Sequence, residues 1–301
     1  MRAELCTALV VRSQRPDMVF LTGDLGFMAL EPLRDSLGDR FINCGVAEQN
    51  MVTVAAGLAK EGLDVWVYSI APFCYARAFE QIRNDVCFHG LPVRLLGNGG
   101  GYGYGVMGPT HHAIEDYGVL LTLPHMSVFT PVFDEDIADV IPLAGAVDGP
   151  AYLRLGRGEG PKDFERPAYS AWRQLVRGGG MTVVAVGPLA GTYIEAFAAL
   201  PAHRRPNLWA LSELPIERNP PPEALLQQLT GGPGVCVAEE HVRQGGAGAQ
   251  LALYLAQEGL RVKSFRTSYA LAHHYERYGS QRYLRTLSNL DPVSVLKAIE
   301  A

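Results

Sequence analysis

Long apolar runs are missing from this sequence: none approaches the ~18 residues that a membrane-crossing helix needs. At the start, MRAELCTALVVRSQRP sets Glu4 and Arg12 around an apolar run too short for a secretion signal. A cytoplasmic protein with no membrane partner is expected. Cysteine is scarce as well. Cys6, Cys44, Cys74, Cys87 and Cys236 are odd in number, scattered, and form no CxxC pair, which leaves neither a disulfide framework nor a zinc site. Positive charge is not in excess either, since 26 Lys and Arg stand against 31 Asp and Glu for a formal net charge of -5. Such a chain offers no basic field to hold nucleic acid. Internal repeats and low-complexity tracts are absent too.

What is present describes a folded, loop-punctuated protein: 48% hydrophobic residues, 19% charged, with 33 glycines and 20 prolines in 301 residues. Short β-branched runs recur between helix-length stretches: MVFLTG (18–23), RFINCG (40–45), DVWVYSI (64–70), PVRLLGNGG (92–100), MSVFTP (126–131) and AYLRLG (151–156). Buried parallel strands read this way. We expect α/β architecture in two doubly wound domains, the first over residues 1–160. Glycine, proline and mixed charge in GRGEGPKDFERPAYSAWRQLVRGGG point to a linker over 161–180. MTVVAVG, PNLWALSEL, PGVCVAEE and VKSFRTS then repeat the alternation in a smaller domain over 181–301.

Three stretches hold candidate chemistry. In FINCGVAEQNMVTVAAGLAKEG (41–62), Met51, Val54, Ala55 and Leu58 recur at helical spacing and Gly62 is placed to stop the helix. Glu48 therefore falls in or beside the first turn. A carboxylate there complements free N–H groups at a gain of ~0.3–1 kcal/mol, yet the preceding strand also delivers it to the carboxyl edge of the sheet, where α/β domains bind ligands. In GNGGGYGYGVMGPTHHAIEDYG (97–118), the glycines allow either close approach to a ligand or a flexible loop. His111 and His112 follow, with Thr110 a candidate cap for the helical IEDYGVLL. The HHxxED pattern supplies only adjacent metal ligands with no distant cluster, so no metal site is assigned. In SIAPFCYARAFEQIRND (69–85), Phe73, Tyr75 and Phe79 are candidate core aromatics, any of which reaching the sheet edge would offer a face to a planar ring.

In order and spacing these stretches, over essentially the whole chain, resemble the C-terminal half of thiamine diphosphate enzymes of the transketolase class. LTGDLG resembles the strand end that carries an acidic residue beside the cofactor's aminopyrimidine, which implies Asp24 with Leu25 next to it. GVAEQNMVTVAAGLA is similar to the family's GVxExxMxxxAxGxA and implies that Glu48 is the carboxylate facing pyrimidine N1′. APFCYARAF resembles the segment whose aromatic stacks on that ring, with Tyr75 as first counterpart and Phe73 as second. GPTHHAIED is similar to GPTHQPxE and makes His111 an active-site histidine. YLRLGR resembles the strand end bearing a phosphate-binding arginine, here Arg157, and Arg2 falls where another stands.

The resemblance implies transfer of a two-carbon ketol unit from a ketose or its phosphate to an aldehyde or specialised acceptor. It also implies a missing half, because no GDG followed by the family's Asn occurs in this sequence to bind magnesium and the diphosphate. A separate large subunit carrying that motif is expected to hold Mg2+, in an α2β2 assembly with homodimer contacts through both domains. Gly99 to Gly101, Val106 and Met107 stand where sugar-phosphate transketolases place hydroxyl-reading residues, so the acceptor is expected to be less hydroxylated or otherwise specialised. VAEEHVRQGGAGAQ also resembles the beta chain of 2-oxoacid dehydrogenases, which is the alternative enzyme; a 1-deoxyxylulose-5-phosphate synthase-like reaction normally belongs to a longer chain. From another class, a non-catalytic structural or regulatory partner of a transketolase homologue stays open. His241, His273 and His274 are read as structural.

Overall fold

The alternating apolar runs assemble into two mostly parallel sheets. A computed structural model describes residues 1–300. The first sheet contains β1 (Met18–Thr22), β2 (Phe41–Asn43), β3 (Asp64–Ile70), β4 (Val93–Asn98), β5 (Ser127–Phe129) and β6 (Ala151–Leu155). The second contains β7 (Trp172–Val176), β8 (Thr182–Val186) and β9 (Asn207–Leu211); β10 (Glu213–Leu214) follows at once but joins the first sheet, and β11 (Val235–Glu239) and β12 (Phe265–Tyr269) complete the second. Strand order is β10-β5-β6-β4-β3-β1-β2 in one sheet and β12-β11-β8-β9-β7 in the other. Only the edge strands β10 and β7 run antiparallel to their neighbours.

Strands buried on both faces explain the unbroken apolar runs. Met18 and Phe20 of β1 pack with Trp66, Tyr68 and Leu96 beneath helices Arg2–Arg12 and Ile137–Ala146, while Val19 and Leu21 face the opposite way. That second face belongs to a core that runs on through Val184, Trp209 and Val237 of the second sheet. The two sheets thus share one continuous apolar body. Among the described residues, no helix is long and apolar enough to cross a membrane.

Two strands are not apparent in the sequence. β7 lies inside the stretch expected to be a linker, where its alternation is masked by flanking glycine and proline, and its Arg173 pairs with Asp136 beside the first sheet. β10 carries the chain from β9 onto the edge of the first sheet, with the Thr130 N–H donating to Ser212 O at 2.7 Å just beyond the β10–β5 ladder. The segment before β7 is irregular but fastened, the Gly158 N–H reaching Asp134 Oδ1 at 2.8 Å and Arg285 reaching Glu159 at 3.0 Å.

Because β1 to β4 and β6 run parallel, their carboxyl ends share one edge of the first sheet. Asp24, Glu48, Phe73, His111 and Arg157 all lie in segments that leave this edge.

Candidate active site

Glu48 is the first residue of helix Glu48–Lys60, whose buried face consists of Met51, Val52, Ala55, Ala56 and Ala59, with Val54 turned toward solvent. A helix start supplies unpaired N–H groups, and the turn before it is shaped by Gly45 at φ 70°. The Glu48 carboxylate is 1% exposed, and its Oε2 accepts from Arg77 Nη1 at 2.8 Å. So complete a burial is more than a capping role requires. Nearby, burial, with the Glu48 charge adding to it, pushes the Cys74 thiol up to about 12.

After β3 the chain enters irregular helix, with wide π turns at Phe73–Arg77 and Ile82–Cys87, a distortion frequent at functional sites. It sets the Arg77 guanidinium 4.7 Å from the Phe73 ring centroid, and the half-buried Phe73 ring meets His111 edge-on at 5.1 Å. Glu48, Arg77, Phe73 and His111 are thereby contiguous. Tyr75 has a different place. It lies in the core, its hydroxyl donates to Glu115 Oε2 at 3.2 Å, and burial raises its phenol far above the ordinary range. The other oxygen of Glu115 meets His273 Nε2 at 2.5 Å. Burial opposes the Glu115 charge, but His273 and Tyr75 together hold its carboxyl below the usual range.

Asp24 is exposed at the end of β1 in the left-handed region, φ 59°. Asn43, at the end of the neighbouring strand, donates from Nδ2 to Asp24 Oδ1 at 2.9 Å and accepts from the Asp24 and Gly45 N–H groups at 3.0 Å each. One amide therefore ties Asp24 to the turn preceding Glu48. Asp24 and Leu25 line a cleft of about 600 Å³ with Thr22, Phe27 and Asn43.

His111 ends a short 3-10 turn, Pro109–His111, and its Nδ1 meets Thr110 Oγ1 at 3.0 Å. Thr110 does not cap the following helix, which begins only at Asp116. His112 turns inward, stacked on His273 at 5.9 Å and edge-on to Tyr102 at 5.1 Å; burial first, then the neighbouring His273 and His274, lowers its pKa to about 4. The glycine run before these histidines is neither slack nor a bare cradle. A Cβ on Gly99 would stand 2.2 Å from the Tyr104 ring, and one on Gly101 would stand 2.7 Å from the Glu240 carboxyl carbon. The space is filled by the protein's own side chains.

Arg2 and Arg157 are both exposed and line a separate cleft of about 360 Å³ with Asn98, Tyr104 and Gln281. The EE–GG segment is a fastening: Glu239 accepts from the Ala247 and Gly248 N–H groups and from Tyr117, while Glu240 accepts from the Tyr102 N–H at 2.7 Å and Arg285 Nε at 3.0 Å. His241 stacks on Tyr117 at 3.9 Å and accepts from the Gly118 N–H. His273, in contrast, reaches the site through Glu115. Sequence reasoning missed Asn43, Arg77, Glu115 and Tyr104, whose partners lie too far along the chain for any local pattern to reveal; only for Arg77 and Asn43 was there a signal, their position just beyond or at a strand end.

Residues 9–162 match the family model described as transketolase, pyrimidine binding domain. The chain is 30% identical over 263 residues to one of the two chains of a split enzyme, the B-chain of the apulose-4-phosphate transketolase of Phocaeicola vulgatus, covering 85% of this chain and 83% of that protein. It is 32% identical over 273 residues to 1-deoxy-D-xylulose-5-phosphate synthase 1 of Geobacter sulfurreducens, covering 87% of this chain but 41% of that longer protein. Among solved structures, a split gene transketolase described as an inactive beta4 tetramer superposes with a TM-score of 0.82 at 28% identity, over 99% of this chain and 96% of that one. The transketolase of Leishmania mexicana shares the fold at 18% identity, TM-score 0.77, over 99% of this chain and 44% of that one.

Proposed function

The chain belongs to the transketolase family, and from that membership we propose that it is the small subunit of a two-component, thiamine diphosphate-dependent transketolase that moves a two-carbon ketol unit from a ketose phosphate to an aldehyde acceptor. Carrying this reading is the buried Glu48 carboxylate beside Phe73 and His111 at one sheet edge. An aminopyrimidine asks for a carboxylate shielded from water and a flat apolar face, and the donor set fits both needs. When bound, the cofactor supplies the carbanion chemistry that cleaves and forms the carbon–carbon bond.

The chain's own residues take distinct parts. Glu48 exchanges a proton at the ring nitrogen, in a setting where exclusion of water strengthens its effect. Phe73 supplies the stacking face; Tyr75, engaged by Glu115 in the core, is assigned to support behind it. Asp24 and Leu25 border the pyrimidine edge. His111 gives or takes the proton of the oxygen on the reacting carbon, while Arg2 and Arg157 hold the substrate phosphate as charged donors. Among the described residues no group of three or more His, Cys, Asp or Glu side chains gathers to hold a metal ion, and we assign Mg2+ and the diphosphate to a large partner subunit in an α2β2 assembly.

Glu48→Gln tests the reading. The amide keeps the shape but cannot exchange the proton, so turnover by the reconstituted complex should fall by at least ~100-fold with circular dichroism and assembly unchanged. Near-normal ketose cleavage by this variant would remove Glu48 from the chemistry, and release of carbon dioxide from a 2-oxoacid by the wild-type complex would replace ketol transfer with decarboxylation.

A further inference from the structure

We propose that Tyr104 determines acceptor specificity, donating its phenolic O–H to an oxygen on the carbons between the substrate phosphate and the reacting carbonyl. The inference rests on the reading of the Arg2–Arg157 cleft as the phosphate end of the substrate site.

Position is the first argument. Tyr104 lines the same cleft as Arg2 and Arg157, and its ring centroid lies 6.3 Å from that of His111. A substrate with its phosphate on the arginines and its carbonyl at His111 would pass this ring. Orientation is the second. Asn98, at the end of β4, donates from Nδ2 to the Tyr104 hydroxyl oxygen at 2.6 Å, and no acceptor for the phenol's own proton lies among the described residues. The hydroxyl is thus anchored as an acceptor on one side and left with a donor to offer on the other. The third is that the sequence makes room for it: at Gly99, φ 78°, any Cβ would strike the Tyr104 ring at 2.2 Å. Gly103 opens the same turn, since a Cβ there would fall 2.8 Å from the Gly99 Cα.

Farther out on the loop, Val106 and Met107 are exposed and apolar. They can make no hydrogen bond to a sugar hydroxyl, so polar reading on this loop falls to Tyr104. The substrate class that follows is a short phosphorylated aldehyde with an oxygen on the chain near the phosphate, rather than a long polyhydroxylated sugar.

The test compares two acceptors that differ by one oxygen, D-glyceraldehyde 3-phosphate and its 2-deoxy analogue 3-oxopropyl phosphate, in the complete two-subunit complex. Wild type should favour the hydroxylated acceptor about tenfold in kcat/KM, as one neutral hydrogen bond allows. Tyr104→Phe keeps the ring over Gly99 and should erase that preference by raising KM for the hydroxylated acceptor alone, with kcat and the unfolding midpoint unchanged. An unaltered preference, an equal loss with both acceptors, or a wild type that does not discriminate overturns the inference. A wild-type complex without ketol transfer to any acceptor overturns the functional reading and this inference with it, and the wild-type control separates that result from the others.

Discussion

His111 and His112 are neighbours with opposite environments. His111 stands half-buried against Phe73, whereas His112 is enclosed by Tyr102 and His273, with His274 and Glu240 the further charges acting on it. Its folded pKa, about 4, lies below the unfolded value of 6.5. The unfolded chain therefore binds more protons across this window, and the contribution of His112 to stability is fully present above pH 6.5 and lost as pH falls through 4. Between pH 7 and pH 4.5 that loss amounts to about 2–3 kcal/mol. Urea unfolding at the two values should show a smaller difference for His112→Gln than for wild type; equal differences would place the acid sensitivity elsewhere. The sequence displayed both histidines but not which one turns inward, because that depends on His273, far along the chain.

At the level of elements, the first sheet is joined to the second by side chains as well as by β10. Asp136 precedes helix Ile137–Ala146, accepts from the Val132 and Phe133 N–H groups at 2.8 and 3.0 Å, and takes both terminal nitrogens of Arg173 on β7. Both side chains are buried. Leaving Arg173 without its counter-charge should cost about 3–5 kcal/mol, so Asp136→Ala is expected to lower the urea midpoint sharply with Glu48 and His111 untouched. A change below ~1 kcal/mol, the range of exposed ion pairs, would show the joint to be dispensable. β7 was hidden in the sequence because a five-residue edge strand between glycine-rich and proline-rich flanks looks like linker, and its antiparallel pairing to β9 depends on a partner over thirty residues away.

For the whole molecule, the carboxyl edge carries exposed apolar groups that a folded chain rarely leaves to water in one place. Phe27 is 85% and Met28 83% exposed on the loop after Asp24, and Val46 is also exposed just before Glu48. Such groups mark contact surfaces, and their place beside the proposed cofactor residues suits a large subunit docking there. The chain alone should bind thiamine diphosphate weakly and turn over no ketose, because it offers the ring contacts without the charged contacts to the diphosphate. Mixing it with its cognate large subunit should restore magnesium-dependent binding by calorimetry and give one small chain per large chain by sedimentation. Turnover by the 301-residue chain with cofactor and magnesium alone would refute the split site.

Hydrophobic periodicity by itself determined that the chain is α/β with strands buried on both faces, since only such strands read as unbroken apolar runs, and local motif spacing determined that Glu48 opens a helix and that His111 follows a glycine-rich loop. These are short-range properties, set by neighbours within a few residues. The tertiary structure decided the pairings: Glu48 with Arg77, Glu115 with Tyr75 and His273, Glu240 with Tyr102 and Arg285, Arg173 with Asp136. It also decided that Phe73 is half-buried at the edge while Tyr75 lies in the core, and that Tyr104 occupies the room left by Gly99. Each depends on residues far apart in sequence meeting at angstrom distances after two sheets have packed, and no local pattern carries that information.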